Sequence, residues 1–105
     1  MKYIVYKTTT ISASHFLPGH KKCGKMHGHN YKIEVWCSVD KLVKGMVVDF
    51  DKIKAIISEM DHKCINDLIV MPTAENMCLM IFIEVPNIVR VRIWETDNCY
   101  AEISK

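Results

Sequence analysis

The stretch that decides the fold is His27-Gly28-His29-Asn30-Tyr31-Lys32-Ile33-Glu34-Val35-Trp36-Cys37-Ser38-Val39. Tyr31, Ile33, Val35 and Cys37 alternate with Asn30, Lys32, Glu34 and Ser38, a period of two that predicts a strand with one buried face. Trp36 is the one exception, on the otherwise polar face. Upstream, Lys2–Ser14 is rich in Tyr, Ile, Val and Thr and reads as a second strand. Pro18, Gly19 and Gly24 mark the loop between them, which carries Lys21, Lys22 and Lys25.

Downstream the period changes. Gly45 breaks the chain, Asp49 or Asp51 offers an N-cap, and Phe50, Ile53, Ile56, Ile57 and Met60 recur at steps of three and four, which predicts an amphipathic helix. Thr73 caps a second predicted helix, Ala74–Val85, apolar nearly all round and so expected to be buried against both the sheet and its partner helix. Pro86-Asn87 ends it. Two strands follow, Ile88–Glu95 and Tyr100–Ser104, joined by Thr96-Asp97-Asn98. The order β-β-α-α-β-β implies an α+β fold, an antiparallel sheet with two helices on one face.

The 105 residues suit one domain, 1–105, with a core modest enough that a subunit interface or a metal would help it. With 14 Lys plus Arg against 12 Asp plus Glu, the formal charge of +2 is too small for a bulk nucleic-acid binder. No apolar run approaches the roughly 20 residues that span a bilayer, so no membrane is expected. Cys23, Cys37, Cys64, Cys78 and Cys99 are odd in number, show no CxxC, and follow no secretory leader; free thiols in a reducing cytoplasm are expected.

His27 and His29 are two apart on a strand, so both imidazoles point to one face and can reach one metal ion. Gly28 between them leaves room for a strand or a ligand. His15 ends the first strand, which a hairpin-like return can set beside the second. Three neutral imidazoles without a fourth strong ligand describe a catalytic zinc with an open position; the bland alternative is three ordinary histidines at strand ends. Cys23, four residues before His27 among lysines, can be a fourth ligand, a nucleophile, an acid/base or an idle thiol. The other four cysteines read as structural. In Asp61-His62 a carboxylate can hold the tautomer of its neighbouring imidazole for acid/base work. Glu75 can simply favour its helix dipole, and Glu95 can pair with a lysine or grip a guanidine-like N–C–N edge.

Taken in order, Ser14-His15-Phe16, Cys23-x3-His27-Gly28-His29-Asn30-Tyr31, Gly45-Met46-Val47-Val48-Asp49-Phe50, Asp61-His62-Lys63, Pro72-Thr73-Ala74-Glu75-Asn76 and Trp94-Glu95-Thr96 resemble the 6-pyruvoyl-tetrahydropterin synthase family. The blocks span positions 14 to 96. The resemblance implies a tunnelling fold whose subunits form trimers that stack as a homohexamer, with active sites between subunits. It implies that His15, His27 and His29 bind Zn2+, that Cys23, Asp61 and His62 move protons, and that Glu95, with Thr73 and Glu75, contacts a pterin triphosphate.

The three-residue spacer between Cys23 and His27 resembles the 6-carboxytetrahydropterin synthase branch of queuosine and archaeosine biosynthesis. That branch converts 7,8-dihydroneopterin triphosphate to 6-carboxy-5,6,7,8-tetrahydropterin, acetaldehyde and triphosphate. The pyruvoyl-forming branch starts from the same substrate, and a zinc-stabilised pterin- or purine-binding module without catalysis is the reading from another class. Lys21, Lys22 and Lys25 are candidate triphosphate contacts. The chain is shorter than many relatives, and His20 has no assigned role.

Overall fold

The computed structural model describes residues 1–105 as one four-stranded antiparallel sheet, in the order β1-β2-β3-β4, with two helices on one face. β1 spans Tyr3–His15 and β2 His27–Val39, paired without a break from Tyr3↔Val39 to His15↔His27. α1 is Phe50–Ser58, α2 Ala74–Glu84, β3 Ile88–Thr96 and β4 Cys99–Ser104. A single 3-10 turn at Ile65–Asp67, which periodicity does not reveal, lies between the helices.

Alternation fixes the core face. Ile11, Tyr31, Ile33, Val35, Cys37, Val91 and Ile93 are buried beneath the helices. α1 starts where Asp49 accepts the Asp51 amide at 2.9 Å, and it buries Ile53 and Ile57, four residues apart. Phe50, expected on that buried stripe, is exposed instead. α2 starts where the Thr73 hydroxyl accepts the Asn76 amide at 3.1 Å, and Ala74, Met77, Cys78 and Ile81 form its buried stripe.

α2 meets both the sheet and α1, as expected, but its apolar surface extends beyond those contacts and leaves Leu79 and Ile83 exposed. α2 packs on β3 and β4 while α1 packs on β1, so the helices lie side by side in one layer and nothing lies over their outer surface.

The opposite face of the sheet also differs from a simple solvated surface. Glu34, expected to point into water, is only 9% exposed. Its carboxylate accepts the Tyr6 hydroxyl at 2.5 Å and the Trp94 indole N–H at 2.6 Å. Burial pushes its pKa up most strongly, but these two bonds together with the Lys32 and Arg92 charges hold it below the usual Glu range. Trp36, the exception to the alternation, packs against Tyr6 and lies under the Arg90 guanidinium at 5.3 Å. No helix is long and apolar enough to cross a membrane.

Candidate functional site

The β1–β2 register places His15 directly across from His27, and Ala13 across from His29, all on the core face. One nitrogen from each of His15, His27 and His29 lies within 4.8 Å of the others. His15 is 1% exposed, and its Nδ1 sits 2.7 Å from the Pro72 carbonyl oxygen. A carbonyl only accepts, so Nδ1 carries the proton and, in the neutral ring, the lone pair lies on Nε2. His27 is oriented in the same way by Lys25 O at 2.7 Å.

The Nε2 atoms of His15 and His29 are buried with no hydrogen-bond partner. Burial pushes the His29 pKa down; Glu95, whose carboxylate lies 3.7 Å from Nε2, opposes that, and His15 and His27 reinforce it. Buried polar nitrogens without partners are costly, and three convergent imidazoles are the donor set that relieves this by ligating a divalent metal. The residues fit such an ion. At Gly28 a Cβ would make only an ordinary 3.5 Å contact with Ala13 O, so its open side faces a groove rather than a tight strand crossing.

Asp61 and His62 reach this region because residues 61–66 run along the free edge of β1. The Ser12 amide donates to Asp61 Oδ1 at 2.9 Å, and Ser12 O accepts the His62 amide at 2.7 Å. The Ser14 amide donates to Lys63 O at 3.0 Å. Asn66 closes the strip, accepting from Phe16 N and donating to Phe16 O, both at 2.9 Å. His62 adopts the left-handed conformation at φ 59°, uncommon for a residue with a Cβ, and this lets its backbone meet β1 while its ring turns outward. The imidazole Nδ1 is 3.0 Å from Asp61 Oδ1, and the side chain is 82% exposed. The Ser12 amide holds the Asp61 carboxyl below the usual Asp range, and His62 adds to the effect. Together Ser12, Gly28, His29, Asn30 and His62 line a groove of about 470 Å³.

A second groove, of about 400 Å³, is lined by Glu75, Glu95, Cys99 and Tyr100 among others. Glu95 falls at a bulge: Trp94 pairs with Tyr100 and Thr96 with Cys99, which leaves Glu95 without a partner on β4. The bulge brings its carboxylate toward His29, so the grooves meet at that contact.

Residues 4–105 match the family model described as 6-pyruvoyl tetrahydropterin synthase. The chain belongs to the 6-pyruvoyl tetrahydropterin synthase family. A protein of Archaeoglobus fulgidus, provisionally named 6-carboxy-5,6,7,8-tetrahydropterin synthase, is 46% identical over 97% of this chain and 96% of its own length. The 6-carboxy-5,6,7,8-tetrahydropterin synthase of Synechocystis sp. is 33% identical over 90% of this chain and 87% of its own. In fold, the Caenorhabditis elegans 6-pyruvoyl tetrahydropterin synthase superposes with a TM-score of 0.80 at 22% identity, covering 100% of this chain and 96% of that one.

Of the residues that the family resemblance singled out, the structure gathers His15, His27, His29 and Glu95 at one point, and sets Asp61-His62 along the wall of the adjoining groove. Cys23 is half-buried in the β1–β2 loop and lies outside the lining of both grooves. Glu75 faces the second groove, whereas the Thr73 hydroxyl is engaged as a helix cap. Lys21, Lys22 and Lys25 are exposed.

Three groups that support or line the site escaped the sequence reading. Pro72 acts through its backbone carbonyl, Asn66 is a lone amide in a loop, and Cys99, read as structural, is exposed in the second groove. Only Cys99 carried a signal, since it abuts the turn next to Glu95.

Proposed function

We propose that this chain, acting as a single unit over residues 1–105, is a zinc-dependent lyase that converts 7,8-dihydroneopterin triphosphate, with one water, to 6-carboxy-5,6,7,8-tetrahydropterin, acetaldehyde and triphosphate in 7-deazaguanine biosynthesis. The observation that carries it is the three-imidazole cluster, with buried and unpartnered Nε2 atoms on His15 and His29, in a chain 46% identical to a protein named for that product.

His15, His27 and His29 would hold Zn2+, which supplies Lewis acidity toward the side-chain oxygens of the substrate. Glu95 presents a carboxylate that can accept two parallel N–H bonds from the amino-pyrimidine edge and so orient the ring. Glu75 and Thr73 belong to the same substrate-binding region. His62, oriented by Asp61, and Cys23 exchange protons at the side-chain carbons. Lys21, Lys22 and Lys25 form a basic loop suited to the triphosphate. The outer edge of β4 and that of β1 before Ser12 support a closed assembly of copies, a cytoplasmic homohexamer built from two trimers, with sites between subunits.

Glu95→Gln keeps the shape of the side chain but turns one acceptor into a donor. Pterin affinity is expected to fall roughly 10- to 100-fold, the loss of a hydrogen bond to a charged group, with metal content unchanged. Unaltered affinity by equilibrium dialysis would return Glu95 to a structural role.

The product decides the branch. Incubation of the zinc-loaded protein with 7,8-dihydroneopterin triphosphate is expected to release acetaldehyde and 6-carboxytetrahydropterin in equal amounts. Pyruvoyl-tetrahydropterin without acetaldehyde would assign the pyruvoyl-forming branch, the second reading. Pterin binding without triphosphate release would leave a zinc-stabilised binding module.

A further inference from the structure

His20 belongs to none of the motifs above, yet it is the side chain on which the Cys23 loop closes. Its Nδ1 accepts the backbone N–H of Cys23 at 2.9 Å and that of Lys22 at 3.2 Å. The same turn is tied by His20 N to Leu17 O at 3.0 Å and by Leu17 N to Cys23 O at 2.7 Å. Gly19, at φ 81°, starts the turn. Gly24 ends it, because a Cβ there would lie 2.4 Å from the His20 carbonyl oxygen. Both backbone polar groups of Cys23 therefore bond within Leu17–His20, and one of those two bonds is made by an imidazole.

An imidazole nitrogen that accepts two N–H groups has no proton of its own, so the His20 proton is on Nε2. The pattern is that of an Asn or Asp side chain accepting from the amides two and three residues ahead. Nδ1 of His and Oδ1 of Asn are the same number of bonds from the backbone, so Asn can supply the same acceptor, whereas the Gln oxygen is one bond farther out.

We propose that His20 is a positioning residue: by accepting the Lys22 and Cys23 amides it sets the backbone of Cys23 and so the place of its thiol. The catalytic consequence rests on the proton-transfer reading of Cys23; the placement of the thiol does not.

The test compares His20→Ala, His20→Asn and His20→Gln in the zinc-loaded protein. Two readouts are followed: iodoacetamide alkylation of Cys23, quantified by peptide mass spectrometry, and kcat and KM with dihydroneopterin triphosphate. His20→Ala and His20→Gln are expected to change the Cys23 alkylation rate several-fold and to lower kcat roughly tenfold or more, as misplacement of a reacting group does, with KM and zinc content held. His20→Asn is expected to restore both readouts. Unchanged Cys23 alkylation in His20→Ala overturns the proposal, as does an Asn variant that behaves like Ala. If alkylation changes and Asn rescues it while kcat stays constant in every variant, His20 still positions the thiol, and it is the proton-transfer reading of Cys23 that fails.

Discussion

Replacement of His27 by alanine is expected to strip the protein of stoichiometric zinc while the sheet persists. His27 is the proposed ligand to test first because it is only half-buried and its Nδ1 bonds a loop carbonyl, that of Lys25. His15→Ala would also open a void in the core and leave Pro72 O without its donor, so it would confound metal loss with unfolding. Changing groups that merely orient a ligand costs about 10- to 100-fold in metal affinity, so removing a ligand is expected to cost at least the upper end of that range. Metal content after dialysis against a competing chelator, read beside circular dichroism, measures it. A folded His27→Ala protein that kept a full complement of zinc would remove His27 from the ligand set.

The second large effect concerns Cys23. Cys23→Ala is expected to lower kcat by about 10² to 10⁴, the range a positioned acid or base contributes, and to leave zinc in place. Cys37→Ala is the matched control: its thiol is buried in the core and burial pushes its pKa to about 11, so it is inert at neutral pH. A Cys37→Ala protein should turn over normally once folded. Loss of zinc from Cys23→Ala would point instead to a closed site of one thiolate and three imidazoles, which is structural rather than catalytic.

Much of this site is legible in the chain because strand periodicity is a one-dimensional signal. The alternation in His27–Val39 gives β2 to the residue, and with it the shared face of His27 and His29. Periodicity assigns a face but not what covers it. Glu34 sits on the polar face as read, yet Tyr6 and Trp94 enclose it. Leu79 and Ile83 are apolar as read, yet no further layer exists to cover them. Asp61-His62 is visible as a pair, but its docking on Ser12 depends on a left-handed backbone at His62 that no side-chain pattern encodes. The role of His20 is not legible in the chain, since its partners are two backbone amides and amides have no sequence signature.

The pairing of His15 with His27 across the ends of β1 and β2 has an evolutionary consequence. The two imidazoles are fixed by the ladder behind them, so the segment between them, residues 16–26, hangs from an anchored pair of posts. Lengthening a flexible loop costs little, about 0.6 kcal/mol for each doubling, so the cost of an insertion here is set by whether it breaks the Leu17–Cys23 turn. An insertion outside that turn would shift the Cys23 thiol, the proposed proton-transfer group, while the three imidazoles stay where they are. An insertion within Asp61–Asn66 has no such freedom, because it would pull His62 off the edge of β1.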